Sequence, residues 1–459
     1  MLIICHSWLS DGMFMDGTIY AILSRNMSIG SGSFWQPHLT DTLFPVFVEH
    51  PPLAFGIESI FFRIFGDNRF VERFYSLLTI IITAIIIVSI WKLILKKSST
   101  GWIPLLLWIT MPTVNWASVN HMLENTLAIF ICLSVLFYLK SLQSKRILFL
   151  ILAGIMLSLG FLTKGFVTFT PLAFPFFIWL FLRKTRLLSM VLDTIIILVS
   201  AILPLILLYL FTGAGEFLPQ YIGFAFSKIS TGITASSRLY IIYRLVMELL
   251  PAIGIILAFM LYCWIKKISL NKISSNLRTA AAFFSLGLAG ILPIVTTMDQ
   301  STYFLLLSLP FFAISLGLLV NPLIETLLDK IDYNSKGYRI FKIFGITALS
   351  AGLILSVYFS GDFNRDENKL KDMRVILVNL EENSTINILP EMYEDWSLHT
   401  YYARYKNISL DPDMNNRHEF LLVRTSLYSD TINNRFEKID LNTIDYDLFR
   451  RNDKDISND

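Results

Sequence analysis

Lys164 lies in the run Gly160-Phe161-Leu162-Thr163-Lys164-Gly165, between two uninterrupted apolar stretches. An ammonium so placed is costly in a bilayer and too isolated to serve as a topology signal, so a bound anion is its expected partner. Three further constellations carry groups able to move protons. Asp16, in Met15-Asp16-Gly17-Thr18-Ile19-Tyr20-Ala21, precedes an amphipathic stretch. It reads either as a helix N-cap or as a general base toward an acceptor hydroxyl or amine, which requires a pocket and a partner charge. Glu49-His50-Pro51-Pro52 sets two metal-capable or proton-transferring side chains before a rigid turn, because the prolines fix their own φ and restrict His50 to extended conformations. A helix-entry turn explains the same residues, and a metal site needs a third or fourth ligand. His121 and Glu124 stand three residues apart at one end of an apolar stretch, a spacing that puts them on one helix face. Glu124 is a functional candidate as a carboxylate inside a span, or else a snorkelling end residue.

The elements that must position these groups are membrane helices. Of 459 residues, 54% are hydrophobic and only 16% charged, far from a soluble domain. The net charge of +3 decides little, because the placement of charges relative to spans carries the information. Three scattered cysteines, Cys5, Cys132 and Cys263, imply no disulfide framework and no thiolate zinc site. Apolar runs long enough to cross the hydrocarbon core are Phe74 to Trp91, Gly101 to Val119, Met122 to Leu139, Ile147 to Thr163, Phe166 to Leu182, Leu187 to Phe211, Ile241 to Ile265, Thr279 to Thr297, Tyr303 to Val320 and Ile343 to Phe359. Basic clusters fall in alternate connections: Lys92, Lys96 and Lys97; Lys140, Lys145 and Arg146; Arg183, Lys184 and Arg186; Lys266, Lys267, Lys272 and Arg278; Lys330, Lys336, Arg339 and Lys342. The positive-inside rule puts these inside, and puts residues 1–73, Asn120 and His121, Lys164, residues 212–240, residues 298–302 and everything after Ser360 outside.

The predicted fold is thus an all-α polytopic membrane protein of ten or eleven spans, with a transmembrane domain over 1–360 and a small extracytoplasmic α/β domain over 361–459. Strands are expected at Val375 to Leu380, Ile386 to Leu389 and Phe420 to Val423, before a solvated tail from Arg450 to Asp459. In the first outer loop, 1–73, Ile19 to Met27 and Leu53 to Phe65 suit helices lying in the interface. Met1 to Cys5 is too short for a span, so a further helix upstream is expected to translocate that loop.

In order along the chain, Asp16-Gly17-Thr18-Ile19-Tyr20-Ala21, Gly32-Ser33-Phe34-Trp35-Gln36-Pro37-His38, Glu49-His50-Pro51-Pro52-Leu53, Phe65-Gly66-Asp67, Arg73-Phe74-Tyr75-Ser76, Leu162-Thr163-Lys164-Gly165, and Tyr303 with Pro310 resemble the integral-membrane glycosyltransferases of the C superfamily. The nearest branch is the bacterial one of the protein O-mannosyltransferase and lipid A aminoarabinose transferase type. The resemblance is specific over Asp11 to Gly165, looser to Leu318, and only architectural beyond Ser360. It implies that Asp16 is catalytic, with Asp11 as a rival because Gly17 replaces the usual second acid. Asp11 precedes Gly12 in an expected mobile turn. The resemblance makes Glu124 a second acidic site residue and Lys164 the residue facing the lipid phosphate. The family's Glu-Lys-Pro-Pro turn is here Glu49-His50-Pro51-Pro52, so His50 or another residue has to supply a phosphate contact. Some relatives bind a divalent metal near that turn, which implies Glu49 and His50 as metal ligands. An arginine common just before Tyr303 is replaced by Ser301-Thr302.

The reading that follows is an inverting-type glycosyltransferase taking a sugar from a polyprenyl-phosphate donor to a lipid, glycan or protein acceptor, on the periplasmic side of the cytoplasmic membrane. Asp16 and Glu124 are the catalytic candidates. Lys164, His50 and Arg73 are assigned to the donor phosphate, and Glu49, Asp11 and Tyr303 to substrate. No nucleotide motif is present, no cofactor is required beyond a conceivable divalent metal, and nucleic acid is not a partner. A lipid or glycan transporter or flippase would also place charges in spans, but calls for matching broken helices in two repeats, which the sequence lacks. A non-catalytic assembly subunit has no need of Asp16, Glu124 and Lys164 together. The orientation is checked by labelling single cysteines with a membrane-impermeant reagent. A Cys at Thr231 or Asn407 is expected to react from outside, and one at Ser144 or Ser269 is not; labelling at Ser144 overturns the orientation.

Overall fold

The computed structural model describes residues 5–96, 99–183, 185–267 and 275–452. Met1 of the N-terminal stretch, Lys97, Lys184 and Lys272 of the basic connections, Ser269, and the tail from Asp453 lie outside the described residues. The chain divides into two compact units. The first holds Val48–Ala54 and Arg73–Leu355; the second holds His6–Phe47, Phe55–Glu72 and Ser356–Asp459.

In the first unit the apolar runs become helices because each backbone polar group must find its partner within its own segment in a lipid environment. Among the described residues eight helical segments are long and apolar enough to cross a membrane: Val71–Leu95, Leu123–Ser141, Arg146–Leu182, Leu187–Phe211, Tyr240–Ile265, Leu277–Thr296, Leu309–Leu328 and Lys336–Tyr358. The expected span Gly101 to Val119 is instead two eight-residue helices, Trp102–Ile109 and Pro112–Val119. Pro112 cannot continue the first helix and opens the second, where its missing N–H costs nothing.

The Arg146–Leu182 run doubles back on itself. Its first helix ends at Lys164, and Gly165 takes φ 77° and ψ −142°, a backbone geometry that a side chain would oppose. The 3-10 segment Gly165–Ala173 then runs back along the helix, with the Thr168 hydroxyl 3.5 Å from the Leu157 carbonyl. Small residues let neighbouring helices approach closely. Gly154 lies so near Leu187–Phe211 that a Cβ there would stand 2.4 Å from the Ile197 carbonyl, and Ser158 donates to the Ala201 carbonyl at 2.5 Å. Large rings, among them Trp91, Tyr138, Phe174, Phe283 and Phe312, fill the remaining core.

The second unit is built on a five-stranded sheet of order Ser409–Asp411, Thr385–Ile388, Phe420–Arg424, Tyr446–Arg451, Phe436–Lys438. The first three strands are parallel and the last two antiparallel. Alternation along Phe420–Arg424 sends Leu422 to one core, with Ile386, Ile388, Tyr402 and Leu448, and Leu421 and Val423 to the other, with Phe436 and Phe449. Asp372 docks helix Glu367–Leu377 by accepting from the backbone N–H groups of Ile444, Asp445 and Tyr446 at 2.6 to 3.0 Å.

Four expectations change here. Val375 to Leu380 ends a helix, because Leu370, Met373, Ile376 and Leu377 recur at helical spacing against the sheet. Ser409–Asp411, Phe436–Lys438 and Tyr446–Arg451 are strands beyond the three expected, two of them being only three residues long. Arg450 and Arg451 belong to the last strand rather than a solvated tail, and Arg451 is buried, donating to the His418 carbonyl at 3.0 Å. Helix Met15–Ile29 is buried from Gly17 to Met27 and is not a surface helix. It is held within its unit by Arg25, whose guanidinium donates to the Ala403 carbonyl at 3.0 Å and to Asn407 Oδ1 at 2.7 Å. Helix Leu53–Phe65 does expose Ile60, Ile64 and Phe65, as an interfacial helix should.

Candidate functional site

The end of helix Arg146–Lys164 meets the start of helix Leu123–Ser141 and forms a charged centre within the first unit. Lys164 Nζ lies 2.5 Å from Glu124 Oε1, both side chains being almost wholly buried. Glu124 occupies the first turn of Leu123–Ser141, where the partial positive charge of a helix N-terminus favours a carboxylate. Among the described residues none hydrogen-bonds its second oxygen, Oε2. The ammonium also stands 5.4 Å from the Tyr303 ring centroid and 5.7 Å from that of Phe304, distances at which an aromatic face attracts a cation. Tyr303 is stacked at 6.1 Å and 11° on Trp116 of Pro112–Val119. Lys164 is thus not a lone cation awaiting an anion: two opposite charges withdrawn from water each need a partner, and they find each other.

Gly165 is enforced from a second direction. A Cβ there would stand 1.6 Å from the Tyr221 hydroxyl, which helix Ala214–Thr231 brings over the turn. The same helix carries Lys228, whose ammonium is 3.9 Å from Glu49 Oε2. His50 is half-buried, and withdrawal from solvent, followed by the nearby Lys164 and Lys228 charges, holds its imidazole well below the ordinary histidine pKa. A neutral ring at physiological pH donates or accepts a hydrogen bond but brings no positive charge, so His50 does not replace the lysine of the related turn as a cation. Arg73 is buried, and one guanidinium nitrogen donates to the Val119 carbonyl at 2.5 Å. His121 precedes its helix in a left-handed conformation, φ 51°, rather than sharing a helix face with Glu124. Its ring meets Tyr75 edge-on at 5.7 Å. Among the described residues no group of three or more His, Cys, Asp or Glu is arranged to hold a metal ion, and Glu49 with His50 therefore gains no third ligand there.

Asp16 and Asp11 are in the second unit. Asp16 lies in the first turn of Met15–Ile29, half-buried, while Phe14 is the N-cap, so capping is not its role. Asp11 is far from mobile. It is buried and accepts from Arg374, Tyr405 and the Gly12 N–H, with Arg69 at 3.4 Å. Burial by itself would raise its pKa, but the hydrogen bonds from Tyr405 and Arg374 outweigh that and hold it below the ordinary carboxylate value. Its backbone is pinned too, through Asp11 N–H to the Asp362 carbonyl at 2.8 Å and Asn364 N–H to the Asp11 carbonyl at 2.7 Å. Trp116, Phe304, Tyr221 and Lys228 carry no local signal in the sequence, since each reaches the centre only through long-range packing.

Comparison with known proteins bears on the family resemblance and the fold. Residues 49–211 match the model of the dolichyl-phosphate-mannose-protein mannosyltransferase family. The chain is 30% identical over 156 residues to an undecaprenyl phosphate-alpha-4-amino-4-deoxy-L-arabinose arabinosyl transferase of Proteus mirabilis, covering 33% of this chain and 28% of that protein. A transferase of the same description from Wigglesworthia glossinidia brevipalpis is 30% identical over 173 residues, 37% of this chain and 30% of its own. The matched stretch therefore spans less than a third of the length of these relatives. The fold is shared much further. Crystal structures of ArnT from Cupriavidus metallidurans, one bound to undecaprenyl phosphate and one in the apo state, give TM-scores of 0.66 and 0.67 at 14% identity. They cover 98% of this chain and 95% and 96% of theirs. The resemblance to membrane glycosyltransferases of this type, drawn from the motifs, is borne out, and the chain has the fold of a multi-pass membrane protein like ArnT.

The buried pair makes a prediction that a lone cation would not. Lys164→Met or Glu124→Gln alone leaves one partner uncompensated and is expected to destabilise by about 3 to 5 kcal/mol, whereas the double variant recovers most of it. Thermal unfolding in detergent measures this. Additive losses in the double variant would show that the two groups do not depend on each other.

Proposed function

We propose that this chain is an integral-membrane glycosyltransferase that moves a sugar from a polyprenyl-phosphate donor to an acceptor at the outer face of the cytoplasmic membrane. The observation that carries the reading is the position of Lys164, an ammonium at the reversal of an apolar helical run, poised by Glu124 and by the Tyr303 and Phe304 rings, in a chain with the ArnT fold. The relatives' names describe transfer from an undecaprenyl-phosphate sugar, and one ArnT structure holds undecaprenyl phosphate. Counting the two limbs of Arg146–Leu182 separately and adding the interrupted stretch Trp102–Val119 turns the eight candidate segments into ten crossings.

In this reading Asp16 takes the proton of the acceptor hydroxyl or amine as that atom attacks the anomeric carbon. The bond from that carbon to the phosphate oxygen breaks, and the lipid phosphate departs with its negative charge. Lys164 meets that charge. A fixed cation in a water-poor site stabilises a leaving anion with little reorganisation, and such preorganised electrostatics are usually the largest catalytic contribution. Partial neutralisation by Glu124 keeps the ammonium in place before the donor binds, and leaves it able to turn part of its hydrogen bonding to phosphate. His50 serves as a neutral hydrogen-bonding group and Arg73 supports the outer end of Pro112–Val119. Glu49 and Tyr303 are assigned to donor contacts. Asp11 is reassigned from substrate to structure, because its oxygens are engaged by Arg374, Tyr405 and Arg69.

Transfer from a labelled polyprenyl-phosphate sugar in membranes tests the reading. Asp16→Asn is expected to lower turnover by about 10² to 10⁴-fold, the usual contribution of a general base, with donor binding within a few-fold of the parent. Asp11→Asn is expected to reduce the amount of folded protein and leave turnover per folded molecule nearly unchanged. Parental turnover in Asp16→Asn removes the general-base assignment, and no transfer by the parent with any polyprenyl-phosphate sugar removes the function.

A further inference from the structure

We infer that Glu248 is a positioning residue for the lipid-phosphate centre, acting through helix Pro112–Val119; the inference rests on the donor role of Lys164 proposed above. Pro112 has no N–H, the Val114 N–H is met by the Met111 carbonyl at 3.2 Å, and Met111, the N-cap, offers no side-chain acceptor, so the Thr113 N–H is left to be met from outside. Glu248 meets it. It projects from Tyr240–Ile265, is 1% exposed, and accepts from the Thr113 N–H at 2.8 Å and the Thr113 hydroxyl at 2.6 Å. Arg244, one turn earlier, holds a guanidinium nitrogen 4.0 Å from the same carboxylate. A carboxylate in an apolar span is expensive and is a functional candidate by default. A serine at the cap would satisfy the same N–H at lower cost, but it would not tie this helix to another span.

The opposite end is fastened as tightly. The carbonyls of Ala117, Ser118 and Val119 accept in turn from Asn125 Nδ2 at 2.8 Å, Ser76 Oγ at 2.7 Å and Arg73 at 2.5 Å. Eight residues held at both ends can neither slide nor rotate. In the middle of them is Trp116, whose ring stacks on Tyr303, and the Tyr303 ring attracts Lys164. A slip of one residue turns an α-helix by about 100° and would carry Trp116 off Tyr303. Glu248 thereby sets the aromatic support of the ammonium without touching the donor.

Donor and acceptor KM values, turnover and binding of undecaprenyl phosphate, each normalised to folded protein, test this. Glu248→Ala is expected to raise the donor KM and weaken undecaprenyl-phosphate binding by about tenfold, with the acceptor KM unchanged. Glu248→Gln retains an oxygen to accept from the Thr113 N–H and an amide to donate to the Thr113 hydroxyl, so it is expected to restore most of the donor affinity. Thr113→Val keeps the N–H contact, loses the hydroxyl contact and is expected to fall between, which keeps the test open should Glu248→Ala not fold. A lowered melting temperature with donor KM and binding unchanged per folded molecule, in Glu248→Ala or Thr113→Val, would reduce Glu248 to a helix cap and overturn the inference alone. Failure of the parent to bind undecaprenyl phosphate removes the donor reading and this inference with it.

Discussion

The contact between Lys164 and Glu124 at 2.5 Å is the constraint around which the first unit is arranged. Each charge alone would be costly among apolar helices, and together they are tolerable only if their geometry is held. The surrounding features do that holding. Gly165 turns the chain where no other residue fits, Tyr221 closes over the turn, and the Tyr303 and Phe304 rings face the ammonium. Glu124 enters from a helix start, where the backbone dipole favours it.

The second unit solves a different problem, that of burying many charges close to one another. Arg404 donates to Glu72 at 3.0 Å, to Asp67 at 2.7 Å and to the Asn68 carbonyl at 3.1 Å. The Tyr401 hydroxyl lies 2.8 Å from Asp366 Oδ2 and 3.0 Å from the Met13 carbonyl, so the segment leading into helix Met15–Ile29 packs against helix Trp396–Lys406 within the same unit. Asp11 completes the network as an acceptor for two arginines and a tyrosine. A carboxylate committed in this way is a poor base, because its proton affinity is lowered and its oxygens are occupied. Asp11 is therefore a structural residue of this unit.

The membrane helices were legible because bilayer thickness imposes a length and the basic clusters impose an alternation, both visible without any contact. What the sequence concealed was long-range. The break at Pro112 was written in the chain, but the carboxylate that accepts from the start of the restarted helix, Glu248, is 135 residues away. Lys164 stood out as a cation among apolar residues, and Glu124 stood out separately; that they neutralise each other depends on the pairing of Leu123–Ser141 with Arg146–Lys164, which sets the end of one helix beside the start of the other. Helix Met15–Ile29 looked interfacial because its polar Ser24, Arg25 and Asn26 suggest a wet face, whereas each finds a buried partner. The short strands of the C-terminal sheet carry too few residues to show a period of two.

The central claim of the proposed reaction is that the Lys164 ammonium, held by Glu124, also meets a lipid phosphate. The direct measurement compares equilibrium binding of undecaprenyl phosphate with that of undecaprenol, the same chain without the charge, in the parent and in Lys164→Gln. The account predicts that the parent prefers the phosphate by about ten- to a hundredfold, as a charge-assisted contact of roughly 1.5 to 3 kcal/mol requires. It predicts that Lys164→Gln loses that preference while binding undecaprenol as the parent does. An undiminished preference for the phosphate in folded Lys164→Gln would contradict it.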